Sequence, residues 1–187
     1  MRLWVLALTD AATSDLVLLV PPLVQLIVGV IRLSTSIKFF PFHLKSFELL
    51  VLINQKTGQF VPAAQYLLYP FDSVNFNYMN AKPKPLADKM IPDNAVSLKI
   101  AKKHVETQEV KDKIVKDAIE ALTLFFGANS MSLCFPELIV PVGVMLRKFK
   151  KHCTNNAYRK SVQSLLDLLK RNEDFVASEC ARIRDKT

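Results

Sequence analysis

Along most of the chain apolar residues recur at three- and four-residue steps, the period of a helix with one buried face. Prolines stand at the heads of these stretches. Pro22 precedes LVQLIVGVIRL, Pro41 precedes FHLKSFELLVLIN, Pro62 precedes AAQYLLYPF, and Pro136 precedes ELIVPVGVMLRKFKKHC. Proline suits the first turn because its missing N–H has no intrahelical partner there. The first three starts lie about twenty residues apart, so helix plus turn repeats as hairpins of roughly forty residues, the unit of HEAT and armadillo proteins. The pattern therefore predicts an all-α fold, a helical-hairpin repeat (a HEAT/armadillo-like α-solenoid) with one long irregular loop.

In the second helix Phe40, Leu44, Phe47, Leu50 and Val51 form one stripe, and Gly58 is placed to stop it. A short helix is expected from about Ala63 to Phe71. Residues 72–106 mix Asn, Pro and Lys, and Lys82-Pro83-Lys84-Pro85 cannot be helix interior. Only Ser97–Ile100 has the character of a brief strand. Helices resume with Thr107 as N-cap and Glu109 in the first turn. Val110, Ile114, Ala118, Leu122 and Phe125 are its buried stripe, with Gly127 as terminator. The next helix runs from Pro136 to His152, bent at Pro141. The last starts near Asn155, buries Tyr158, Val162, Leu165, Leu166, Leu169 and Val176, and frays through a charged end. The expected organisation is one domain fragment: N-terminal hairpins over 1–71, an irregular segment over 72–106, and C-terminal helices with a basic face over 107–187.

Membrane insertion is disfavoured. Between Asp15 and Arg32 lie sixteen mostly apolar residues, whereas a spanning helix needs about twenty. Pro21-Pro22 would also strip two backbone donors from the driest region. At the amino end MRLWVLALTD has a short apolar run cut by Asp10, which argues against a signal peptide. Three cysteines, Cys134, Cys153 and Cys180, form an odd and scattered set, pointing to reduced thiols rather than a disulfide framework.

Catalytic and cofactor chemistry finds no footing. The glycines at 29, 58, 127 and 143 are too scattered for a phosphate-cradling loop. His43, His104 and His152 lack motif partners, and neighbours such as His152 and Cys153 point in different directions on a helix. No metal site is expected even with Cys134 nearby. Glu106, Glu109 and Asp112 lie among lysines, as on a solvated helix face rather than an acid–base dyad. The sequence predicts a non-enzyme with no cofactor and no metal.

Charge supplies the positive signal. The net charge is +8 and the pI about 9.4, which favours an acidic partner. Arg147, Lys148, Lys150, Lys151, Arg159 and Lys160 are the candidate contacts to RNA or an acidic protein. No acidic residue interrupts Leu138 to Gln163. Apart from Phe149 and Tyr158 there is little aromatic interleaving, so stacking on single-strand bases is not indicated.

Taken in order, RLWVLAL, PPLVQLIVGVIRL, FFPFHLKSFELLVLINQKTGQFVPAAQYLL, KPKP, SLKI, FPELIVPVGVMLRKFKKHC and YRKSVQSLLDLLKRNEDFV resemble the nucleolar complex protein 2 family. Phe135, Pro136, Glu137 and Leu138 are the motif positions of the most specific segment. One segment departs: PFHLK exchanges basic and aromatic positions relative to the family's usual order. The resemblance implies a helical-repeat scaffold in ribosome biogenesis. It implies partnership with other nucleolar complex proteins on large-subunit (60S) precursors, with direct rRNA contact as one mode of attachment. Maturation and nuclear transport of those particles would follow, in nucleolus and nucleoplasm, without a membrane. Family members are several hundred residues long, and Met1 falls inside what would be a helix, so a fragment or partial gene product is expected. The alternative is a general helical-repeat adaptor, similar to a transport receptor, that binds proteins only.

Overall fold

Pro21 and Pro22 lie in the first turn of α1 (Val20–Leu33), where neither removes a helical hydrogen bond. The computed structural model describes residues 18–33, 36–58, 60–73, 99–100, 105 and 107–185. The other helices are α2 (Phe40–Thr57), α3 (Tyr69–Ser73), α4 (Gln108–Ala128), α5 (Phe135–His152) and α6 (Asn156–Arg184). Short 3-10 turns cover Ile37–Phe39 and Ala64–Leu67, and no strand occurs among the described residues. The fold is thus all-helical, as the periodicity requires. The amino-terminal MRLWVLALTD segment and nearly all of 72–106, including Ser97 and Leu98, lie outside the described residues.

Helix α2 is the hub. It packs against α1, α4 and the Ala64–Leu67 turn, while α6 packs against both α5 and α4. Its expected stripe is too narrow. Leu44 is only partly buried, and burial extends around the helix to His43, Ser46, Leu49, Ile53 and Asn54. A helix covered on several sides shows weak amphipathicity, because its polar residues also face protein. Gly58 closes α2 in the left-handed region at φ 68°, donating its N–H to Asn54 O at 2.9 Å.

Three expected boundaries shift, each for a local reason. The single helix over Ala63–Phe71 is instead a 3-10 turn followed by the five-residue α3, because Pro70 cannot donate to the preceding turn. Gly127 lies inside α4 rather than ending it. The stop falls at Asn129, whose backbone N–H and side-chain Nδ2 both donate to Phe125 O, at 3.2 and 2.8 Å. Thr107 does hold the N-cap position in extended conformation, but its side chain makes no capping bond. At the carboxyl end α6 keeps its helix through Arg184, with Arg182 bridged to Glu179 at 2.6 Å.

The core is organised by aromatic rings. Phe125 lies 5.8 Å from Phe47 of α2 and 5.3 Å from Phe126. Phe126 in turn meets Phe135 of α5 at 5.8 Å, and Phe71 meets Phe149 at 5.1 Å. Two polar links lie among them. Asn54 Nδ2 donates to Asn129 Oδ1 at 3.2 Å, joining the ends of α2 and α4. His43 Nδ1 lies 2.7 Å from Tyr69 Oη.

Replacing Phe125 by Ala should cost about 3–5 kcal/mol of unfolding free energy, read by urea denaturation, since the cavity would open at the meeting point of four aromatic rings. Alkaline stability provides a second check. Burial pushes the Tyr69 phenol above its ordinary value of 10.0, and burial with the Asp112 carboxylate does the same for Tyr158. Both folded values exceed the unfolded one, so the unfolded chain loses these protons first. Stability should hold up to about pH 10 and fall above it, and Tyr69→Phe should flatten that fall.

Candidate functional site

Helix α5 is built to show two faces. Phe135, Ile139, Val142, Leu146, Phe149 and then Cys153 are buried, at steps of four and three residues. Pro136 occupies the first turn, and Glu137 complements the positive helix end there. Of the four motif positions, Phe135 enters the core, Leu138 packs partly against it, Pro136 is half-buried and Glu137 is exposed. This motif starts a helix. Pro141 lies within α5 on the exposed side, where water can satisfy the Glu137 carbonyl that loses its amide partner.

The basic candidates gather at one end of the α5–α6 hairpin, around the Cys153–Asn155 link, and then divide into two groups. Lys148 Nζ pairs with Asp72 Oδ1 at 2.6 Å, across to α3. Lys150 Nζ donates to Gln163 Oε1 on α6. These two lysines fasten helices to one another, although a pair as exposed as Lys148–Asp72 contributes only about 0–1 kcal/mol. Arg147, Lys151, Arg159 and Lys160 are exposed, and none has an ion-pair partner among the described residues. Arg159 and Lys160 stand one turn into α6, whose first turn holds no acidic residue. Cations near a helix N-terminus do not stabilise it, so helix stability does not explain them.

The valines beside these cations escaped the sequence reading. Val140 and Val144 are 56% and 57% exposed. With Glu137, Arg147 and Lys151 they follow steps of three, four, three and four residues along the solvent face. Leu133, 73% exposed, stands four residues before Glu137. The signal was present as a second periodicity, displaced by two residues from the core stripe. Gly143 shapes this face as well: an added Cβ would lie 3.3 Å from an Arg147 guanidinium nitrogen, so the arginine lies back over the bare backbone.

Other chemistry points to structure. Asp112, expected on a merely solvated face, accepts from Gln108 Nε2 at 2.8 Å and from the Tyr158 hydroxyl, tying α4 to α6. Burial pushes the Cys153 thiol up, away from reactive thiolate. Cys134 is exposed and Cys180 partly buried, and all three thiols are free. Among the described residues no group of three His, Cys, Asp or Glu could hold a metal ion. No described helix is long and apolar enough to cross a membrane.

Among the described residues the protein is all-helical, with a basic, partly apolar face of α5 turned to solvent. The chain belongs to the Noc2p family, whose sequence model matches residues 1–185. It is 25% identical over 180 residues to nucleolar complex protein 2 of Drosophila melanogaster, covering 96% of this chain and 23% of that protein. It is 28% identical over 163 residues to nucleolar complex-associated protein 2 of Arabidopsis thaliana, covering 87% of this chain and 21% of that one. An uncharacterized NOC2 family protein of Schizosaccharomyces pombe is 28% identical over 166 residues, or 89% of this chain and 23% of its own length. The chain therefore spans less than a quarter of these relatives. Their names describe nucleolar complex proteins rather than enzymes.

Gly143→Ala should raise stability by up to about 1 kcal/mol, the helix-propensity difference, because the obstructing guanidinium is a flexible end that can swing away. A thermal melt with no gain, or a loss, would show that Arg147 is held in place.

Proposed function

We propose that this chain is part of a non-enzymatic nucleolar scaffold in ribosome biogenesis, a helical-repeat segment that assembles with other nucleolar complex proteins on large-subunit precursors. Supporting maturation and nuclear transport of those particles, through nucleolus and nucleoplasm, is part of the same reading. Family membership carries it, and the names of the relatives supply the compartment. The observation on the molecule itself is the basic end of the α5–α6 hairpin, where Arg147, Lys151, Arg159 and Lys160 stand exposed. A ribosome precursor is dense in negative charge, and cationic contacts to it weaken as salt rises. The sequential α5–α6 hairpin suits a repeat architecture. The packing of α2 on α4 suits one domain spanning residues 1–71 and 107–187.

Replacing Arg147, Lys151, Arg159 and Lys160 together by Ala should reduce co-sedimentation with large-subunit precursors at least several-fold and reduce its salt dependence, with far-UV helicity unchanged. Lys148 and Lys150 are kept, since they fasten helices. Co-sedimentation equal to wild type would sink the surface assignment. Association that survives complete nuclease digestion would favour the general protein adaptor.

A further inference from the structure

We infer that the solvent face of α5 is a docking strip for one helix of a partner protein, a helix with apolar residues at one end of its contact stripe and carboxylates at the other. This rests on the reading of α5 as a partner surface and specifies its occupant. The face carries Glu137, Val140, Val144, Arg147 and Lys151, all exposed, at alternating steps of three and four residues. That is the spacing at which one helix presents a continuous seam to another. From Glu137 to Lys151 the seam runs for about 21 Å, or four turns.

Its composition is graded. Val140 and Val144 stand more than half exposed in the middle, and Arg147 and Lys151 follow, with Lys148 beside them. Lys151 lies one heptad beyond Val144, about 10.5 Å along the axis. A matching helix places aliphatic side chains on the valines and carboxylates one to two turns away on Arg147 and Lys151. Burying the valines provides area, and the charge pairs fix direction and register.

The same observations disfavour RNA on this strip. Phosphates would satisfy the cations but leave both valines without an apolar partner. The aromatic residues that base stacking would need, Phe149 and Tyr158, are both buried, at 6% exposure each. A second copy is a poorer match: it offers a single carboxylate, Glu137, along its seam against Arg147, Lys148 and Lys151.

The test uses the full chain and a fluorescent helical peptide with leucines at two successive seam positions and glutamates at the next two. The control peptide has serines for the leucines, and an RNA hairpin is titrated alongside. Fluorescence anisotropy should show the leucine peptide binding at least tenfold tighter than the serine control. Val140→Ser with Val144→Ser should erase that preference. Arg147→Glu with Lys151→Glu should weaken the peptide at least tenfold and gain binding to a version with lysines for glutamates. All four substituted positions are exposed, and the charge-reversal rescue separates lost contacts from lost folding. Equal binding of the two peptides overturns the inference. So does displacement of the peptide by RNA with an affinity indifferent to the valine changes, or self-association that the valine changes abolish. Co-sedimentation with ribosome precursors reports separately on the scaffold reading: a chain that sediments with them yet ignores the leucines retains that reading and loses this one.

Discussion

The position of Phe125 determines much of the rest. Its ring lies within 6.4 Å, centroid to centroid, of Phe47, Phe60 and Phe126, and only 1% of it meets solvent. Through Phe126 the contact passes to Phe135, the first residue of α5. A helix that begins with a buried ring has its rotation set at its first turn. The direction in which α5 presents its valines and cations is therefore set by an aromatic chain that starts in α2. Each tilted or edge-on pair adds about 0.5–1.5 kcal/mol beyond the area it buries. Because α2 is covered on several sides, this chain has little room to relax.

Polar groups inside the core locate helix ends. Asn54 reaches Asn129 where α2 and α4 both stop, and Asn129 also takes over capping of α4 through Phe125 O. His43 and Tyr69 bind the first turn of α2 to the start of α3. Such bonds contribute only about 1 kcal/mol each, yet leaving either partner unsatisfied in the core costs more. They therefore select one register of helix against helix more than they add stability. Ser46 differs: its buried Oγ has no hydrogen-bond partner among the described residues.

What was legible in the sequence follows from how local each signal is. Helix type came from periodicity. Starts came from proline, since Pro22, Pro41 and Pro136 act within a single turn, and Gly58 marked a stop because its left-handed geometry needs no neighbour. Gly127 misled because a glycine is tolerated inside a helix when a better terminator follows. Asn129 became that terminator through contacts with Phe125 and with Asn54, which is distant in sequence. The width of burial on α2 was likewise hidden, since a residue such as Ser46 reads as a wet position until the helix is packed against α1, α4 and the Ala64–Leu67 turn. Of the six basic candidates, sequence could not separate Lys148 and Lys150, whose partners Asp72 and Gln163 lie on other helices.

Helix α5 changes character halfway, from a mostly apolar first half to a second half carrying Arg147, Lys148, Lys150 and Lys151, and the change has a geometric explanation. Phe135, Ile139, Val142, Leu146, Phe149 and Cys153 repeat at four, three, four, three and four residues. Glu137, Val140, Val144, Arg147 and Lys151 repeat at three, four, three and four residues, each two residues before a core position, which is about 200° around the helix. Over its first half, Glu137 apart, the helix is largely apolar on both faces, so that half reads as core. Over its second half only the inner face remains apolar, and that half reads as an amphipathic surface. One helix with two seams reconciles both impressions. The inner seam is occupied by this fold. The outer one has the period of a packed interface and carries exposed valines beside Arg147 and Lys151, which have no ion-pair partner among the described residues. That combination becomes intelligible once a second helix is allowed to lie along it.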